Sequence, residues 1–400
     1  NALAGVGATG ALNFLILGFC TGTCTGFAIP VAQKFGEHDF AGLKRYAVNA
    51  IMISVAFSLV VGLLVSCLCR TFLVWMNTPA DIIDDAFAYL FVIFLGIPVV
   101  MLYNVLFGII RSMGDSRTPV LYLIVASLIN VALDLLLIVV FHTGVEGAAI
   151  ATVISQAISA LLCVRYIRHS QVLIITKEDW KVDWQCCKVL LGMGLPTGLQ
   201  YSITAIGSIM LQSANNALGT ACVAAFTAAM RIKMFFMCPF ESLGMAMATY
   251  SGQNYGAGKP ERIWMGVKAS TLMMIVYWAF TFCVLMFGAR TFALFFVDAS
   301  ELEILKNTEL FLHISVSFFP VLGLLCILRY TIQGVGYTNL AMLSGVLEMI
   351  ARILVSLLAV PAFGYLAVCF GDPTAWIFAD AFLIPAFIYV YRRILRMKKN

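Results

Sequence analysis

Hydrophobic positions along this chain run in blocks too long for the buried face of a soluble helix. Apolar stretches fall at about 5–32, 47–69, 86–110, 119–141, 147–164, 189–214, 219–250, 269–288, 310–330, 338–360 and 374–391. A helix needs about 20 apolar residues to cross a bilayer, so the pattern predicts eleven membrane spans and an all-α fold. The composition agrees: 62% of residues are hydrophobic and 11% charged, with mean hydropathy +0.97. Soluble domains carry about 25% charge.

Polar residues outside the runs set the orientation. Loops on one side, with the tail after Tyr391, hold eighteen Lys and Arg residues, against Arg70, Arg290 and Lys306 on the other. The positive-inside rule makes the rich side cytoplasmic and places the C-terminus there. Asp81, Asp84, Asp85, Asp298, Glu301 and Glu303 are then external, in short elements near 70–85 and 289–309. The formal charge of +5 thus reflects topology and gives no reason to expect a nucleic-acid partner.

An internal repeat organises the runs. Gln33-Lys34-Phe35-Gly36 parallels Gln253-Asn254-Tyr255-Gly256, and Ile110–Ser116 parallels Ile332–Thr338. Both copies of each segment lie on the same side, so the halves have parallel topology. The lobes are expected at 1–168 and 189–400, joined by a charged cytoplasmic linker at 169–188 with Trp180 and Trp184 at the interface. The second half has six spans and the first five, so the chain reads as lacking a first helix, with twelve expected in all.

Polar residues inside the runs are the candidate chemistry. Asp134 lies within the apolar run Pro119–Phe141, with Asn130 one turn before it. At ~1.5 Å per residue from Pro119, Asn130 is ~16 Å and Asp134 ~22 Å into the span. A carboxylate at that depth usually faces a cavity or partner and marks an ion or proton pathway. Among the other acids, Glu348 precedes Arg352 by four residues, the favourable order for an intrahelical pair, read as structural. Glu241 follows Pro239 within 219–250. It either attracts a cationic compound, relays protons, or pairs with another helix. Asp380 reads as nearer the outer surface and hydrated. The twelve cysteines are read as free thiols packed as small hydrophobes, and the four dispersed histidines define no metal site. The spans carry no catalytic cluster, so an intramembrane enzyme is not expected.

Several linked motifs then resemble one family. The run Gly108-Ile-Ile-Arg111-Ser-Met-Gly114-Asp115-Ser-Arg117-Thr-Pro119, followed by Asn130, Asp134 and Gly144-Val-Glu-Gly147-Ala-Ala-Ile-Ala-Thr152, is similar to the MATE (multidrug and toxic compound extrusion) family. So is Gly252-Gln253-Asn254-Tyr255-Gly256-Ala257-Gly258-Lys259-Pro260-Glu261-Arg262. The resemblance implies two six-helix lobes alternately opening a central cavity. It implies a monomeric antiporter in the bacterial inner or plasma membrane, in contact with lipid. Such an antiporter exports amphipathic, often cationic, organic compounds in exchange for Na⁺ or H⁺ and needs no cofactor.

It also implies a cation site at Asp134, Asn130, Asn104 and Thr152, with Na⁺ held at Asp134 and Asn130. An Asp expected on the first helix has no match here. The chemistry stands beside the analogy: Na⁺ is hard and takes oxygen ligands, and a buried carboxylate is a plausible proton carrier. Interhelical hydrogen bonding is the competing role for Asn104 and Thr152. Some members carry an acid on the seventh helix; here 189–214 has none, leaving Gln200 and Tyr201 as candidate substrate contacts. At the repeat positions of Asn130 and Asp134 stand Arg352 and Ser356, so coupling is expected in the first lobe only. The alternative function is a flippase for lipid-linked saccharides, whose cavity would need many free cations. Only Arg231, Lys233, Arg329 and Arg352 lie within spans.

Overall fold

Apolar runs with no water to satisfy their backbone must close their hydrogen bonds internally, and the chain does so as helices. The computed structural model describes residues 10–75 and 82–399. Asp81 and the start of the first apolar run lie outside the described residues.

Among the described residues six α-helices lie in the first half: α1 (Gly10–Gly36), α2 (Phe40–Trp75), α3 (Ile83–Leu95), α4 (Ile97–Ser112), α5 (Arg117–Asp134) and α6 (Gly144–His169). Then follow α7 (Trp184–Asn216), α8 (Thr220–Gly256), α9 (Pro260–Ala293), α10 (Leu302–Ser317), α11 (Phe319–Gly334), α12 (Thr338–Leu354), a short α13 (Tyr365–Cys369) and α14 (Gly371–Lys399). No strand occurs among the described residues. Among the described residues nine helices are long and apolar enough to cross a membrane, and two bent pairs, each taken as one span, bring the total to eleven. This is a multi-pass membrane protein.

Two spans read as continuous are broken. The run 86–110 bends by 45° between α3 and α4, and 310–330 bends by 49° between α10 and α11. A proline follows each break, Pro98 and Pro320, where it removes a backbone donor and fits the new first turn. Helix α2 continues to Trp75 and α9 to Ala293, each running beyond the end of its apolar stretch.

The repeat extends to backbone detail. Left-handed residues pair at matching positions: His38 with Gly258, Gly114 with Gly336, and His142 with Gly364. Both α5 and α12 widen into π-helical turns, Leu135–Val140 and Val355–Ala359. Within each half the same neighbours pack, α1 on α4 and α8 on α11, α5 on α6 and α12 on α14.

Two compact units comprise residues 1–202 and 203–400, so the division falls inside α7, after the 169–188 linker. In the first unit the early part of α7 crosses α1 through glycine. A Cβ on Gly26 would meet Gly194 Cα at 2.6 Å, and one on Gly198 would meet Phe19 O at 2.7 Å. Gly18, Gly22 and Gly26 recur every four residues, the spacing that lets membrane helices approach backbone to backbone. The linker is pinned to the first turns of α2: Lys44 pairs with Asp179 at 3.4 Å and Arg45 with Asp183 at 3.3 Å. Fully buried Asn49 accepts from Asp183 N at 2.9 Å.

The α4–α5 turn is held by Asp115, which accepts from Thr118 Oγ1 at 2.6 Å, Tyr166 OH at 2.7 Å and Arg117 N at 3.0 Å. Burial pushes its carboxyl upward, but these donors outweigh burial and hold it below the ordinary range. Helix α5 begins at Arg117, two residues before Pro119.

Candidate functional site

Helix α5 has little buried surface: between Arg117 and Asp134 only Pro119 and Ala126 are buried. Against that background its two polar residues are half-buried and stand one turn apart, on the side where α6 packs. Asn130 Nδ2 donates to Thr152 Oγ1 across a long 3.5 Å, and the Thr152 hydroxyl donates to Ala148 O at 2.9 Å. Asp134 follows at the junction where α5 widens into its π turn. Its Oδ1 is buried without a protein hydrogen-bond partner among the described residues. Tyr89 on α3 lies within electrostatic reach of this carboxyl.

Asn130, Thr152 and Asp134 therefore share the α5–α6 seam. Asn104 spends its amide on its own helix, donating to Val100 O at 2.8 Å. The seam presents a carboxylate, an amide and a hydroxyl, which are hard oxygen donors suited to an alkali cation or a proton. A π turn beside them adds irregular backbone of a kind frequent at functional sites.

The substrate candidates lie elsewhere. Gln200 is buried and Tyr201 half-buried on α7, the Tyr201 ring lying over Gly22 of α1. Glu241 is on an exposed part of α8, and the cation acting on it is Arg329 of α11.

The second unit holds a buried chain of charges, of which the sequence reading found one link, the Glu348–Arg352 pair. Glu348 does reach Arg352, with Nη2 to Oε2 at 3.4 Å. Its shorter contact is with Arg329, which also donates to Ser344 Oγ at 2.9 Å. Arg352 in turn gives its Nε to Asp372 Oδ1 at 2.8 Å, and Asp372 accepts from Lys233. The Lys233 ammonium also sits 5.2 Å from the Phe311 ring and 5.9 Å from Trp376. Five charges from α8, α11, α12 and α14 thus form one line rather than one intrahelical pair. Asp372 was missed because its partners are remote in sequence, at 139 and 20 residues.

Asp380 also departs from its expected place, being 6% exposed rather than hydrated. Lys233, Arg329 and Arg352 are all engaged with acids. Three of the four cations within spans, which a pyrophosphate-binding flippase cavity would need free, are therefore already held in ion pairs.

The MatE family model matches residues 1–136 and 196–358. A probable multidrug resistance protein, YpnP of Bacillus subtilis, is 29% identical over 66% of this chain and 59% of its own length. A second from the same organism, YoeA, is 26% identical over 70% of this chain and 64% of its own. The chain spans about six tenths of the length of these curated relatives. Among solved structures, the outward-facing conformation of a multidrug resistance MATE family transporter of the MOP superfamily superposes with a TM-score of 0.91. That match is at 22% identity and covers 100% of this chain and 89% of the other. With matches on both sides of the linker and the repeated helical architecture described above, the chain belongs to the MatE family of multi-pass membrane proteins.

Proposed function

We propose that this protein is a secondary active transporter of the cell membrane that exports amphipathic, often cationic, organic compounds in exchange for Na⁺ or H⁺. Alternating access supplies the route, and Asp134 couples the two fluxes. The observation that carries this reading is the buried Asp134 oxygen without a donor, beside Asn130 and Thr152, deep in an apolar helix. Burying a carboxylate is costly unless a cation or proton joins it. Such a group therefore binds the coupling ion in one conformation and releases it in another. Family membership supports the transport class, and two relatives described as probable multidrug resistance proteins support the substrate class.

The residues divide the work. Asp134 supplies charge, while the Asn130 amide oxygen and the Thr152 hydroxyl complete an oxygen-rich seam. Asn104 is a nearby-helix candidate whose amide nitrogen is already used, leaving its oxygen as ligand. Glu241, with Gln200 and Tyr201, is assigned to the organic substrate. Exchange follows because each ligand favours a different conformation, and a ligand binding both equally shifts nothing.

The test is dye efflux from cells lacking their own pumps, driven separately by an imposed Na⁺ or H⁺ gradient. The proposal expects efflux of a cationic dye that collapses with one of those gradients. Accumulation unaffected by expression, or efflux indifferent to both gradients, would overturn it.

A further inference from the structure

Asp380 is the one carboxylate of the second unit's buried charge system that the ion-pair line leaves aside. It sits in the apolar stretch Phe378-Ala379-Asp380-Ala381-Phe382 of α14, and neither Oδ1 nor Oδ2 has a protein hydrogen-bond partner among the described residues. The groups acting on it are Arg329 and Cys326 on α11 and Glu348 on α12. Glu241 of α8 acts on the same Arg329 and Cys326. Lys233, Arg352 and Asp372 lie farther along the line and are paired among themselves.

The charge count leaves Asp380 poised. Lys233, Arg329 and Arg352 face Asp372 and Glu348, so the line carries one positive charge in excess. An ionised Asp380 would cancel it. Yet Arg329 is committed to Glu348 and Ser344 and directs no donor at Asp380. A carboxylate stripped of water and donors is far costlier than the neutral acid in the same place. Two arrangements avoid an ionised Asp380 without a counter-ion. In one, Asp380 carries a proton and Arg329 stays on Glu348. In the other, Asp380 is ionised and Arg329 turns to share itself between the two acids.

We infer that Asp380 is a proton-binding site of the second unit, with Arg329 as the partner that switches between Glu348 and Asp380 when the proton leaves. The Asp380 O–H bond breaks, the proton passes to water, and the new carboxylate takes Arg329 as counter-ion. This site is distinct from Asp134 and does not depend on the coupling role given to that residue. It departs from the expectation that ion chemistry is confined to the first half.

The experiment is infrared difference spectroscopy of the purified protein in lipid nanodiscs across a pH jump, reading the carbonyl stretch of protonated carboxyl groups. Wild type should show a titrating band that Asp380→Asn removes, that Asp380→Glu restores at a shifted position, and that Asp134→Asn and Glu241→Gln retain. Asp380→Asn mimics the neutral acid, so its melting temperature should equal wild type, while Arg329→Gln should melt well below it. An unchanged band in Asp380→Asn would overturn the assignment. So would a fall in melting temperature matching that of Arg329→Gln, since Asp380 would then be a permanently ionised partner.

Discussion

A charge buried in an apolar unit is stable only while its partner remains, and Glu348 holds two partners at once. Removing its charge leaves Arg329 with Ser344 alone, whereas Arg352 keeps Asp372. Breaking a buried pair from one side typically costs about 3–5 kcal/mol, while replacing the whole pair with apolar residues is often neutral. Glu348→Gln should therefore lower the melting temperature and folded yield. Arg329→Met combined with Glu348→Leu should recover most of the loss. Calorimetry in detergent checks both variants, and a double variant no more stable than the single would contradict this account of the line. The sequence disclosed the i,i+4 pair because both members lie on one helix. It concealed Arg329, Asp372 and Lys233, because their meeting depends on how α8, α11, α12 and α14 pack. Asp134 was legible for the opposite reason: its depth follows from its position in a single run.

At the scale of elements, the close approach of α1 to α7 is set by what is absent from four residues, Gly22 and Gly26 on α1 and Gly194 and Gly198 on α7. A methyl at Gly26 would collide with the backbone of Met193 and Gly194, both at 2.6 Å, where no rotamer change gives relief. Overpacking usually costs about 1–3 kcal/mol, and a backbone contact belongs at the upper end. Gly26→Ala should reduce folded yield in fluorescence-detected size exclusion, whereas Gly10→Ala, with open space at its Cβ, should not. Equal yields for the two would mean the helices do not cross at this glycine. The four-residue glycine spacing was a signal in the sequence, overshadowed by the hydropathy of the run. The two helix bends were also foreshadowed by Pro98 and Pro320, but a span-length pattern alone reads straight through them. The π turns carry no compositional mark and emerge only from backbone geometry.

For the whole molecule, charge asymmetry and repeat make one statement about direction. The charge asymmetry predicts a cytoplasmic C-terminus, so single cysteines introduced near Asp84 and Glu301 should react with an impermeant maleimide in intact cells. Cysteines near Lys181 and Lys259 should react only after permeabilisation, with the native exposed Cys67, Cys238 and Cys283 replaced first. The reverse pattern would invert the orientation and the direction of transport. The parallel repeat was readable because backbone turns recur with the motifs. Hydropathy marks the linker, and beyond it the early part of α7 packs on α1, a contact that hydropathy does not announce.

The most direct measurement of the central claim is flux in proteoliposomes bearing Asp134→Asn, reconstituted at matched density beside wild type. The variant keeps the shape of the side chain and removes its charge, so it should fold and still bind a cationic dye. The account predicts that dye flux driven by a Na⁺ or H⁺ gradient falls to the level of empty liposomes. Asn130→Ala and Thr152→Ala should transport with a weaker dependence on coupling-ion concentration. Gradient-driven flux in Asp134→Asn equal to wild type would contradict the account.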